Sequence, residues 1–159
     1  MQARIKWVEG RAFVAESGSG HAIVLDAPVA AGGRGLAPSP MELVLMGIGG
    51  CTAVDVVMIL AKGRHAVTDC VVTLDAERAA TDPKVFTRIV MRFTVTGRNL
   101  DRKAVERAVA LSAEKYCSAS IMIGRTAEIV HEIEVVEGSG AFTTDEDPRD
   151  RFCMIDRKN

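Results

Sequence analysis

Apolar and polar residues alternate in three short runs over the first 26 positions. Within residues 2–9, Ala3, Ile5 and Trp7 fall on one side and Arg4, Lys6 and Val8 on the other, the two-residue period of a strand. Runs at 11–16 and 21–26 flank Ser17-Gly18-Ser19-Gly20, a turn sequence, so a three-stranded antiparallel meander is expected. Residues 27–38 contain Gly32, Gly33, Gly35 and two prolines and read as a loop.

The period then changes. Ser39-Pro40-Met41-Glu42 has serine at N-cap, proline at the first helical position and glutamate three residues after the serine, a capping box that starts a helix. The helix is expected to run to about Lys62, with Gly63 as terminator, and is apolar nearly all round. Gly47, Gly49 and Gly50 each cost about 1 kcal/mol relative to alanine inside a helix, and close approach of another backbone is the expected offset. Residues 67–78 and 85–96 predict a hairpin in which Ile89, Met91, Phe93 and Val95 share one face. A second helix is expected from Asp101 to Ile123, with Val105, Val109, Ser112 and Tyr116 at helical spacing and Gly124 as its end. A last strand over 127–136 sets Ile129, His131, Ile133 and Val135 against Glu128, Val130, Glu132 and Glu134. The fold class is therefore α+β, over residues 1–137, followed by an acidic tail at 138–159 expected to be mobile or draped on the surface. One small sheet covers so apolar a first helix poorly, and an intertwined dimer would solve that burial problem.

Composition narrows the function classes. The 159 residues are about one domain long, and a net charge of -1 gives no basic stripe for nucleic acid and no polybasic membrane patch. The longest apolar stretch, 43–60, is interrupted by three glycines, Cys51 and Asp55, which argues against a membrane span. The N-terminal residues show no signal pattern, and a cytoplasmic location with reduced thiols is expected. The cysteines are Cys51, Cys70, Cys117 and Cys153, too far apart in sequence for a zinc-finger spacing. His21, His65 and His131 show no paired ligand spacing, so no metal is expected. Gly32-Gly33-Arg34-Gly35 lacks the lysine and the setting of a phosphate loop, and no cofactor is expected.

Two segments carry a resemblance. Pro38 to Ala53, which holds Gly49-Gly50-Cys51-Thr52, resembles the first cysteine motif of the OsmC/Ohr family, and Ser112-Ala113-Glu114-Lys115-Tyr116-Cys117-Ser118 resembles its second. Cysteine spacing and element order agree over about residues 2–137, within the OsmC-like part of the family. The resemblance implies an OsmC-like intertwined homodimer, with small antiparallel sheets packed around two long central helices. It also implies a thiol-dependent peroxidase for organic hydroperoxides or hydrogen peroxide. Cys51 would attack the peroxide, Cys117 would resolve the sulfenic acid as a disulfide, and an external thiol or dihydrolipoyl group would reset the pair. Family peroxidases hold a catalytic arginine with an acid ten positions before the first cysteine. That position is Met41 here, and Glu42 follows it, turned by about 100° on a helix. Arg11 is the positional match for the arginine, with Arg34 as fallback.

Each residue also has a plainer reading. Buried cysteines are common in cores, and Glu42 fits its capping box as well as it fits a catalytic site. Arg11 suits an exposed strand, Cys70 a packed one, and Cys153 falls in the tail. Asp55, one turn after Cys51, would raise the thiol pKa by its charge. Against the peroxidase stands a non-catalytic binding or redox-sensing module with an apolar interface cleft, motivated by Met41 at the acidic position.

Overall fold

The computed structural model describes residues 1–138, so Cys153 and nearly all of the predicted tail lie outside the described residues. The chain divides at Gly47 into two compact units. In the first, β1 (Ala3–Glu9), β2 (Ala12–Ser17) and β3 (Ala22–Asp26) form an antiparallel sheet in that order, as the alternation predicts.

The loop after β3 is organised by one carboxylate. Asp26, 1% exposed, accepts the backbone N–H groups of Ala27 and Arg34 at 2.8 Å and of Leu36 at 3.3 Å. The Arg34 N–H is the largest influence on its pKa; with the other two it outweighs burial and holds the carboxyl below its ordinary value. A Cβ on Gly33 would sit 1.7 Å from the Ala27 carbonyl oxygen, so only glycine fits this crossing. The loop leads into the capping box: Ser39 Oγ accepts the Glu42 N–H at 3.3 Å, and the Glu42 carboxylate accepts the Ser39 N–H at 2.6 Å. The helix α1 (Pro40–Lys62) starts where the sequence places it.

In the second unit, β5 (Phe86–Arg98) is the central strand of a sheet ordered β4-β5-β6, with β4 at Ala66–Arg78 and β6 at Glu128–Glu137. β4 and β5 pair antiparallel, as expected of a hairpin. β6 lies parallel to β5, which corrects the expectation of purely antiparallel sheets. A helical crossover between β5 and β6 returns the chain to the end from which β5 began, and a parallel partner needs such a connection. Ile89, Met91, Phe93 and Val95 of β5 are each 0% exposed and form the core face predicted for them. On the solvent side Arg88 pairs with Glu128, and Arg92 with Glu132 and Asp75. Such exposed pairs add little stability each.

Two expectations for the helices need correction. Gly49 of α1 meets a side chain, not a backbone: a Cβ there would lie 2.7 Å from Leu74 Cδ1, while Gly47 and Gly50 meet no neighbour among the described residues. The second helix is also not continuous. It comprises α2 (Arg102–Leu111), a π turn at Ser112–Tyr116, an extended Cys117 (φ -74°, ψ 99°) and α3 (Ser118–Ile123). The Cys117 N–H donates to Ser112 O at 2.8 Å, and its Sγ accepts the Ser120 N–H at 3.3 Å. The thiol therefore acts as an N-cap, and a side chain that competes for backbone donors in this way breaks a helix without glycine or proline. The π turn also rotates Tyr116 outward to 51% exposure, although its spacing suggested the buried stripe.

Candidate active site

Cys51 lies on α1 with Thr52 beside it and Asp55 one turn further along the same face. Cys117 comes from the break between the π turn and α3 and is 0% exposed, while Cys51 is half-buried. The two sulfurs and a carboxylate oxygen of Asp55 all lie within 4.8 Å of one another. Around them sit hydroxyls that the sequence motifs did not single out as chemistry. Thr52 Oγ1 is 3.4 Å from Cys117 Sγ and 3.2 Å from Ser120 Oγ, and it also reaches the Ile48 carbonyl at 2.9 Å. Ser112 Oγ donates to Asp55 Oδ2 at 3.0 Å. Thr52, Ser112 and Ser120 are all buried. Their signal was available in retrospect: a threonine beside one cysteine, a serine three after the other, and Ser112 at the register of the buried stripe of α2.

Electrostatics divides the two thiols. The Cys51 thiol is pushed above its ordinary value, first by its hydrogen bond to Cys117 and then by burial, with the charges of Cys117 and Asp55 acting the same way. The Ala119 N–H opposes these influences only in part. Burial is also the largest influence on Cys117 and pushes it up. Hydrogen bonds from the hydroxyls of Ser120 and Thr52, the Cys51 thiol and the Ser120 N–H together outweigh it, and Cys117 lies below its ordinary value. Of the two, Cys117 is the thiol that ionises more readily and Cys51 the one that holds its proton longer. Each hydroxyl has one proton, so Thr52 must turn its O–H from Ile48 to Cys117 when the thiolate forms.

The other predicted site residues belong to the first unit and have neighbours there. The Glu42 carboxylate is exposed, serves the capping box and is held below its ordinary value by Ser39. Arg34 pairs with Glu9 at 2.5 Å. The Arg11 guanidinium lies beside Gly32, where a Cβ would be 3.1 Å from its Cζ, and it forms no ion pair among the described residues. Cys70 is half-buried in β4, and burial pushes its thiol up. His131 stacks near Phe93 with ring centroids 6.1 Å apart, and burial pushes its pKa down.

Fold and site together define a small mixed α+β protein with a paired-cysteine centre. A family model described as OsmC-like protein matches residues 32–132, and the chain belongs to that family. It is 56% identical over 137 residues to Protein YhfA of Escherichia coli strain K12, covering 86% of this chain and 98% of that one. A solved structure of a hypothetical protein from Aquifex aeolicus VF5 is similar at a TM-score of 0.77 and 30% identity, over 87% of this chain and 97% of that one. An organic hydroperoxide resistance protein OsmC from Legionella pneumophila shares the fold at a TM-score of 0.63 and 23% identity, over 84% and 96% of the two chains.

Proposed function

We propose that this chain is a thiol-dependent peroxidase that reduces organic hydroperoxides or hydrogen peroxide through a Cys51 sulfenic acid and a Cys51–Cys117 disulfide. The observation that carries this reading is the adjacency of the two sulfurs, which lie within 4.8 Å of each other. Cys51 is the more exposed of the two and meets the peroxide. Once ionised, Cys117 accepts the Cys51 proton, which makes Cys51 a nucleophile at the moment of attack. Cys51 sulfur then bonds to one peroxide oxygen, the O–O bond breaks, and the leaving alkoxide is protonated to the alcohol. Cys117 attacks the resulting sulfenic acid, and the disulfide forms as water leaves. An external thiol or dihydrolipoyl group supplies the two electrons that restore the pair.

The family resemblance assigns the role of a cation in this scheme to Arg11, with Arg34, which pairs with Glu9, as fallback. A guanidinium would steady the leaving oxygen. Glu42 would hold that cation in addition to its capping role. A homodimer is part of the same reading. Val44, Met46, Val54 and Met58 expose apolar surface along α1, at 44%, 61%, 59% and 45%, which a second copy of the chain would cover. A cytoplasmic setting, where thiols stay reduced, fits the free pair.

One observation favours a second reading. A thiol held above its ordinary value is the opposite of what a fast nucleophile needs, and it suits a non-catalytic binding or redox-sensing module. Peroxide consumption separates the two. Cys51→Ser abolishes turnover in a peroxidase, and Cys117→Ser leaves a Cys51 sulfenic acid that over-oxidises. Unchanged consumption in Cys51→Ser removes the peroxidase reading, and negligible wild-type turnover supports the second.

A further inference from the structure

From the same cluster we infer that Cys51, Cys117 and Asp55 form a three-ligand site for a thiophilic divalent ion of the zinc(II) class. This goes beyond the peroxidase reading and stands whether or not the pair turns over peroxide. The spacing of the cysteines gives no hint of it, because the fold supplies the grouping. Asp55 joins Cys51 through the helical repeat, and the break before α3 brings in Cys117.

The geometry suits the ion. The three donor atoms lie within 4.8 Å of one another. A tetrahedral zinc with Zn–S of about 2.3 Å and Zn–O of about 2.0–2.2 Å places its donors roughly 3.5–3.8 Å apart. Closing from 4.8 Å to that range is a contraction of at most about 1.3 Å. Two sulfurs select a soft or borderline ion over magnesium or calcium, which take oxygen. Three protein ligands leave the fourth position to water or an external thiol.

The surroundings hold the ligands in place. Ser112 Oγ donates to Asp55 Oδ2, and the Ser120 N–H and Thr52 Oγ1 contact Cys117 Sγ. Outer contacts of this kind orient metal ligands and raise affinity.

Ion binding and disulfide formation use the same sulfur atoms and exclude each other. When a hydroperoxide oxidises the loaded site, two thiolates give up two electrons and become a disulfide. The hydroperoxide takes those electrons with two protons to give alcohol and water, and the ion is released. The bound ion therefore protects the reduced pair, and oxidation expels it.

The test uses the reduced full-length chain under anaerobic conditions, with Cys70→Ser and Cys153→Ser as background to remove the other thiols. Cobalt(II) is the spectroscopic probe. The expected result is one cobalt per chain, with thiolate-to-cobalt charge-transfer absorption that zinc(II) displaces. Asp55→Asn, which keeps an oxygen for the Ser112 hydroxyl, weakens binding by at least about tenfold, and Cys51→Ser abolishes the paired-thiolate spectrum. A second measurement needs no substitution at the site: zinc(II) slows iodoacetamide labelling of Cys51 in the wild-type chain, mapped by mass spectrometry. Absence of the charge-transfer band, unchanged affinity in Asp55→Asn, or unchanged labelling of Cys51 with zinc overturns the site. None of these readouts depends on peroxide, so peroxidase failure and metal-site failure are distinguishable.

Discussion

The Cys51 and Cys117 sulfurs lie within 4.8 Å of each other, and their interaction raises the first thiol while it lowers the second. The more exposed sulfur is the harder of the two to ionise and the buried sulfur the easier. Burial alone would raise both thiols. The asymmetry comes from donors: Cys117 collects Thr52, Ser120 and the first turn of α3, while Cys51 faces the Asp55 charge.

The first prediction concerns titration. In the wild-type chain the pair should lose one proton below the ordinary cysteine range and the second above it. Cys117→Ala removes the acceptor and the neighbouring charge, so Cys51 should titrate lower than in the wild type. Thiolate absorbance and pH-dependent alkylation of the single-cysteine variants read this out. A Cys51 titration unchanged by the loss of Cys117 would contradict the coupling.

Thr52→Val keeps the side-chain shape and removes the hydroxyl that reaches Cys117. The first proton loss should then move up, and alkylation of the pair near neutral pH should slow. Folding should weaken by about 1–3 kcal/mol, because Ser120 loses a buried partner. Denaturant melts and labelling rates on the same protein separate the two effects.

Asp26 gives a prediction in acid. Its folded pKa is depressed, so its contribution to stability is present above the ordinary value of 3.8 and is lost as pH falls through the lower folded value. Asp26→Asn should be less stable than wild type at neutral pH, and the difference should shrink below about pH 4 as the wild-type carboxylate protonates. Thermal melts across pH check the sign. A stability gap that does not change with pH would show that the loop hydrogen bonds do not depend on charge.

Two substitutions calibrate the scaffold. Ser39→Ala removes one half of the capping box and should cost about 1 kcal/mol. Phe93→Ala, at a fully buried position in the central strand, should cost about 3–5 kcal/mol. Reversal of that order in denaturant unfolding would mean that α1, not the β5 face, dominates stability.

Much of this architecture was legible where local chemistry and periodicity agree. Ser39-Pro40-Met41-Glu42 names its helix start because the caps are local, and Ile89 to Val95 reveal their shared face through a two-residue period. The break at Cys117 was not legible, because it arises from a thiol capping its own backbone in a segment without glycine or proline. Nor was the parallel register of β6, which a crossover decides and an alternating strand cannot announce. At the site, the two cysteines were named from their motifs, whereas Thr52, Ser112 and Ser120 matter only because the fold brings them to those sulfurs. Arg11 and Glu42 came from position in a motif, and their contacts on this chain are a glycine loop and a helix cap.

The most direct measurement is made on the reduced wild-type chain, treated with one equivalent of cumene hydroperoxide or hydrogen peroxide and mapped by peptide mass spectrometry. The predicted result is rapid loss of two hydrogens per chain, a single disulfide between Cys51 and Cys117, and repeated turnover when a dithiol is supplied. Persistence of both thiols under those conditions, or a disulfide that excludes either cysteine, would contradict the proposed peroxidase.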